Sequence, residues 1–156
     1  MNMYDTYIFD LDGTLLSTLN DLAASCNYAL ENNGMPKRSI DEVRQFVGNG
    51  VKKLMERAIP DGLSNPLFDK TYQDFRQHYM KHNLDTTCPY DGVMDMLQEL
   101  HRRGKKVAVV SNKFYAATQD LCRHFFGEEL VPVAIGERED IRKKPAPDTV
   151  IEALRQ

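Results

Sequence analysis

Tyr7-Ile8-Phe9-Asp10-Leu11-Asp12-Gly13-Thr14-Leu15 is the stretch on which the fold turns. A short apolar, β-prone run passes without a break into Asp-x-Asp-Gly-Thr. It lacks the polar alternation of a half-exposed strand, as expected of a strand covered on both faces in a parallel sheet. Two later runs have the same form. Val107-Ala108-Val109-Val110 ends in Ser111-Asn112-Lys113, and Leu130 to Ile135 ends at Gly136. Helical patterns separate them. Asp91 is placed to N-cap a helix with Val93, Leu97 and Leu100 on one face, Arg102 and Arg103 in its last turn and Gly104 beyond. Ala117, Leu121 and Phe125 repeat every four residues, and Pro147 opens a last helix carrying Val150, Ile151 and Leu154. This alternation predicts an open α/β domain.

Residues 17–86 interrupt the alternation, because every pattern there is helical. Thr18-x-x-Asp21 and Ser39-x-x-Glu42 both have the form of a capping box. Leu19, Leu22, Ala23, Cys26, Ala29 and Leu30 make one apolar stripe, and Phe68, Tyr72, Phe75 and Tyr79 make an aromatic one that reads as core. Gly48-Asn49-Gly50 is a sharp break between two short helices. The expected organisation is an α/β core over 1–16 and 87–156, with an all-helical domain, 17–86, inserted after the first strand.

Composition narrows the function classes. The 156 residues are 42% hydrophobic and 28% charged, enough for a packed core. Twenty Lys+Arg against 23 Asp+Glu give a net charge of −3, which carries no electrostatic footprint for nucleic acid. No apolar run approaches the ~18 residues that a membrane span needs, and the polar opening does not read as a signal peptide. Three widely spaced cysteines (26, 88 and 122) fit neither a disulfide framework nor a zinc site. These features together predict a cytoplasmic protein without nucleic-acid or membrane partners.

In open α/β sheets ligands bind outside the carboxyl ends of the strands. Those ends supply Asp10 and Asp12, then Ser111 and Asn112, then Arg142-Lys143-Lys144. Two carboxylates, a hydroxyl and ammonium groups on one rim suit phosphoryl transfer: one carboxylate can attack, the other can move protons, and the donors can hold phosphate oxygens. Lys144 stands just before a helix N-terminus, where a cation opposes the helix dipole and makes sense beside an anion.

Phe9-Asp10-Leu11-Asp12-Gly13-Thr14-Leu15, Val109-Val110-Ser111-Asn112-Lys113 and Lys144-Pro145-Ala146-Pro147-Asp148, in that order, resemble the first three motifs of the haloacid dehalogenase (HAD) superfamily. Phe46-Val47-Gly48-Asn49-Gly50, Pro89-Tyr90-Asp91-Gly92 and Ser111-Asn112-Lys113 are similar to its phosphoglycolate phosphatase branch. The resemblance implies a Rossmann-like parallel sheet with a helical cap. It implies hydrolysis of a small phosphate monoester, 2-phosphoglycolate or a sugar phosphate, through an aspartyl phosphate. Asp10 would be the nucleophile and Asp12 the acid and base. Ser111 and the Asn112 backbone would hold the phosphoryl group, with Lys144 neutralising charge. Mg²⁺ would sit on the Asp10 carboxylate and the Asp12 main-chain carbonyl. Gly13, Thr14, Gly48, Asn49 and Gly50 would complete substrate binding. Similar caps also serve β-phosphoglucomutase-like mutases, which is the alternative chemistry.

A fourth motif of that family, an acidic pair after a further strand, has no counterpart after Lys144; Glu137 or Asp140 could stand in for it. The expectation is a chain truncated before that motif, with a sheet incomplete on its C-terminal side and weakened Mg²⁺ binding. The first strand would then be an exposed edge open to self-association, and a catalytically inactive module is a further alternative.

Overall fold

The computed structural model describes residues 4–156. Along the chain run β1 (Thr6–Phe9), β2 (Leu16–Ser17), α1 (Leu19–Asn32), α2 (Ile40–Phe46), α3 (Val51–Ala58) and α4 (Phe68–His82). They are followed by β3 (Cys88–Pro89), α5 (Val93–Arg102), β4 (Lys106–Phe114), α6 (Tyr115–Phe125), α7 (Gly127–Leu130), β5 (Val133–Glu137) and α8 (Asp148–Arg155). The chain divides into two compact units. One is the chain up to Ser17 together with Cys88–Gln156, and the other is Thr18–Thr87.

The first unit is built on a parallel sheet in the order β1-β4-β5. Side chains alternate between its faces, as the pleat requires. Val107 and Val109 pack with Val93 and Leu97 of α5 and Leu121 and Cys122 of α6. Ala108, Val110 and Ile135 pack on the other side against Ala153 and Val150 of α8. Helices therefore cover both faces, and this is why the strands read as unbroken apolar runs. β1 pairs with β4 from Thr6↔Lys106 to Phe9↔Val109. β4 pairs with β5 from Ala108↔Val133 to Val110↔Ile135, then shifts register before Phe114↔Glu137.

Several local expectations are corrected. β4 runs on to Phe114, so Ser111, Asn112 and Lys113 belong to its irregular end. β5 starts at Val133, because Gly127–Leu130 closes a turn of helix first. The N-cap of α5 is Gly92 at φ 82°, with no side-chain cap bond, so Asp91 does not cap it. The two-residue ladder of β2 and β3, Leu16↔Pro89 and Ser17↔Cys88, had no readable periodicity in the sequence.

In the second unit α1 packs along α4, with Leu22, Cys26, Ala29 and Leu30 buried on the first and Phe75 and Tyr79 on the second. The Ser39–Glu42 capping box forms, with the Glu42 amide donating to Ser39 Oγ and the Ser39 amide to Glu42 Oε2. The Thr18–Asp21 box does not, since Thr18 makes no side-chain cap bond. Asp21, only 3% exposed, instead accepts hydrogen bonds from the far end of the unit. Thr86 N donates to both carboxylate oxygens at 3.0 Å and Thr86 Oγ1 to Oδ1 at 2.6 Å. Thr87 N and Oγ1 donate to Oδ2 at 2.9 and 2.8 Å. Among the described residues no helix is long and apolar enough to cross a membrane. The three cysteines are free, Cys26 and Cys122 buried and Cys88 exposed.

Candidate active site

β1 ends at Phe9 and delivers Asp10 at its carboxyl end. The loop that follows folds around the carbonyl of buried Leu11, which accepts the amides of Thr14, Leu15 and Leu16 at 3.0–3.2 Å. Leu11, Leu15 and Leu16 anchor this loop in the core, leaving Gly13 and Thr14 exposed at its tip. Gly13 has φ +75°, a conformation L side chains rarely adopt. Asp10 Oδ1 accepts the Leu11 amide at 2.8 Å.

Lys144 reaches the same carboxylate. Its Nζ lies 3.0 Å from Asp10 Oδ1 and donates to the Val110 carbonyl at 2.9 Å. The Asn112 side chain fixes the Lys144 backbone: its amide donates to the Lys144 carbonyl at 3.1 Å and its oxygen accepts the Lys144 N–H at 2.9 Å. Asn112 thus clamps the lysine through its side chain, a contact the resemblance did not imply. Ser111 is buried, and its hydroxyl accepts the Lys113 amide at 3.1 Å.

Lys113 is the site residue that the sequence reading passed over, quoting it only as part of a motif. Its Nζ lies 2.9 Å from Asp12 Oδ1, with side chains 1% and 16% exposed. The only signal in the sequence is a lysine closing an apolar run. Each carboxylate of the Asp-x-Asp motif therefore meets a lysine. The Asp10–Lys144 pair is open, with side chains 47% and 30% exposed, whereas the Asp12–Lys113 pair is enclosed. Nearby Cys122 is no candidate nucleophile: burial first, and the Asp12 charge second, push its thiol up to about 12.

Glu137 and Asp140 are engaged elsewhere. Glu137 pairs with Lys143 at 3.2 Å, and Asp140 holds Arg138 through both carboxylate oxygens. Among the described residues no group of three or more His, Cys, Asp or Glu is arranged to hold a metal ion. Gly48, Asn49 and Gly50 belong to the other unit, at the turn from α2 to α3. There Gly48 and Gly50 have φ of 121° and 89°, and the Arg57 guanidinium donates to the Phe46 carbonyl and to Asn49 Oδ1.

A two-sided parallel sheet with paired carboxylates and lysines at its carboxyl end places the chain in the haloacid dehalogenase-like hydrolase family, whose model matches residues 7–156. More particularly, the chain is 30% identical over 148 residues to a phosphoglycolate phosphatase of Aquifex aeolicus, covering 94% of this chain and 67% of that protein. It is 36% identical over 142 residues to one of Chromobacterium violaceum, covering 88% and 64%. A crystal structure from Haemophilus somnus, described as a predicted phosphoglycolate phosphatase, superposes with a TM-score of 0.90 at 29% identity, covering 97% of this chain and 71% of that one. The chain spans about two thirds of the length of the two phosphatases.

Proposed function

We propose that the site hydrolyses phosphate monoesters, with 2-phosphoglycolate as the leading substrate, through a phosphorylated Asp10. The observation that carries this reading is the Asp10–Lys144 pair, a carboxylate at a strand end whose charge is met by a half-buried ammonium 3.0 Å away. Two anions, substrate and carboxylate, approach only where positive charge offsets their repulsion. Asp10 attacks phosphorus, the bond to the ester oxygen breaks, and Asp12 gives its proton to the departing alkoxide. Asp12 then takes a proton from water as that water attacks phosphorus, the bond to Asp10 breaks, and inorganic phosphate leaves. Ser111 and the Asn112 backbone hold phosphoryl oxygens, and Lys144 balances their charge.

The donor set at the loop is oxygen only, which suits Mg²⁺, an ion that keeps several waters and needs one or two carboxylates plus substrate phosphate. Both the hydrogen bond and the ion pair of Asp10 fall on Oδ1, and its partly exposed carboxylate would hold the ion with the Asp12 main-chain carbonyl. Bound there, Mg²⁺ supplies electrostatic shielding between the two anions. Among the described residues no third acidic side chain joins the set, and binding to this 156-residue chain is expected to be weak without substrate.

Phosphate release from 2-phosphoglycolate, followed with Mg²⁺, with a chelator, and in Asp10→Asn, tests the proposal. Release that needs Mg²⁺ and disappears in the variant is the expected result. Equal rates in all three samples sink it and favour an inactive module. Isomerisation of a sugar phosphate without release of phosphate favours the mutase chemistry instead.

A further inference from the structure

We infer that Lys113 is the positioning residue for Asp12, an inference that rests on the reading of Asp12 as the proton-transfer group. Asp12 sits on a loop, where a carboxylate would ordinarily sample several rotamers. Its Oδ1 is held 2.9 Å from the Lys113 ammonium. Holding that oxygen narrows the orientations open to the carboxylate.

The place of the ammonium is in turn set by the sheet. Lys113 lies in the segment of β4 that shifts register between Val110 and Phe114. Its amide donates to Ser111 Oγ, and its carbonyl is packed so closely against Gly136 of β5 that a Cβ there would stand 2.7 Å from it. With its backbone anchored at both groups and its side chain 1% exposed, the lysine has little freedom to follow a moving carboxylate. Burying an ammonium is tolerable only where it keeps hydrogen-bonded partners, so Nζ stays on Oδ1, and the proton that Asp12 gives and takes belongs to its other oxygen. Its enclosure also separates Lys113 from Lys144, whose 30% exposure leaves it open to an incoming phosphate. Lys113 therefore acts through Asp12 and not on the substrate.

Two esters separate this role from a merely structural one. 2,4-Dinitrophenolate leaves without a proton, so in stopped flow with excess Mg²⁺ its first equivalent reports attack by Asp10, and later turnover reports the water step that needs Asp12. In Lys113→Met the burst is expected within about threefold of wild type while steady-state turnover falls roughly 10²-fold, the scale of a misplaced catalytic group. Turnover of 2-phosphoglycolate, whose alkoxide needs a proton, should fall by a similar factor with little change in KM. Asp12→Asn should give the same pattern, and the double variant should be no worse than Asp12→Asn alone. Lys113→Gln, which keeps a hydrogen-bond donor, should lie between, and it carries the test if the methionine variant does not fold. Burst and steady state lowered by one common factor, or unchanged in both variants, overturns the inference. A wild-type chain inactive toward both esters removes the phosphatase reading and this inference together.

Discussion

Replacing Asp21 by Asn isolates the contact that joins the two ends of the helical unit. The carboxylate accepts five hydrogen bonds from Thr86 and Thr87. An amide has a single acceptor oxygen. Placed where Oδ2 was, that oxygen keeps the bonds from Thr86 N, Thr87 N and Thr87 Oγ1; the second bond of Thr86 N, to Oδ1, is lost, and the Thr86 hydroxyl can reverse to accept from the new NH₂. Three charge-assisted bonds become neutral ones, at about 1 kcal/mol each. The lower cost of burying an amide returns part of this, for a net loss of roughly 2 kcal/mol.

The dependence on pH has a definite sign. Burial raises the Asp21 carboxyl, and the bonds from Thr86 and Thr87 outweigh it, holding the group below its ordinary 3.8. Its stabilisation is therefore complete above the unfolded carboxylate's value and is lost as pH falls through the lower folded one. Urea unfolding followed by circular dichroism should give a midpoint about 1 M lower for the variant at pH 7, for a slope of roughly 2 kcal/mol/M. The difference should shrink below pH ~4, where the unfolded wild-type carboxyl takes up a proton that the folded one still resists. If the two units melt separately, the shift belongs to the transition of Thr18–Thr87. A variant within about 0.5 kcal/mol of wild type at pH 7, or a deficit as large at pH 3 as at pH 7, refutes the reasoning.

Other predictions concern the sheet unit. Gly136→Ala should cost about 1–3 kcal/mol, since its Cβ would meet Thr118 Oγ1 at 2.6 Å and the Lys113 carbonyl and Tyr115 Cα at 2.7 Å; a thermal melt lowered by several degrees checks it. Lys144→Ala should lower kcat roughly 10²–10³-fold, measured on 2-phosphoglycolate, and a loss confined to KM would contradict its assigned role. Among the described residues β1 pairs with β4 alone, in the sheet order β1-β4-β5, so sedimentation of this 156-residue chain should show concentration-dependent self-association that Thr6→Lys reduces. A thiol reagent should label Cys88 quickly in the native protein and the other two only on unfolding. Burial, against the weaker opposing effect of the Arg38 charge, pushes the Cys26 thiol up to about 12, and Cys122 reaches about 12 as well.

Much of the architecture was legible because its causes are local. Apolar runs without polar alternation at Tyr7–Phe9 and Val107–Val110 reflect coverage of both sheet faces, and the Ser39–Glu42 box closes within one turn of chain. Where a local signal met a distant competitor, the reading failed. Asp21 has the right spacing to answer Thr18, yet four donors 65 and 66 residues away take its carboxylate. Leu130 continues an apolar run into β5, yet Gly127 opens a helical turn that removes it from the strand. The short ladder of β2 and β3 depends wholly on the chain's returning beside itself.

The strand-end residues divide in the same way. Sequence order alone determined that Asp10, Asp12, Ser111 and Lys144 fall at the carboxyl ends of strands or just beyond, because strand direction follows from the βαβ order. Which charge answers which carboxylate was decided by the tertiary structure. Lys144 meets Asp10 because Asn112 grips its backbone across the site, and Lys113 meets Asp12 because the register shift in β4 and the missing side chain at Gly136 let the strand end pack closely. A buried ion pair forms only where the packing encloses an ammonium beside a carboxylate, and burial of that kind is a property of the assembled sheet.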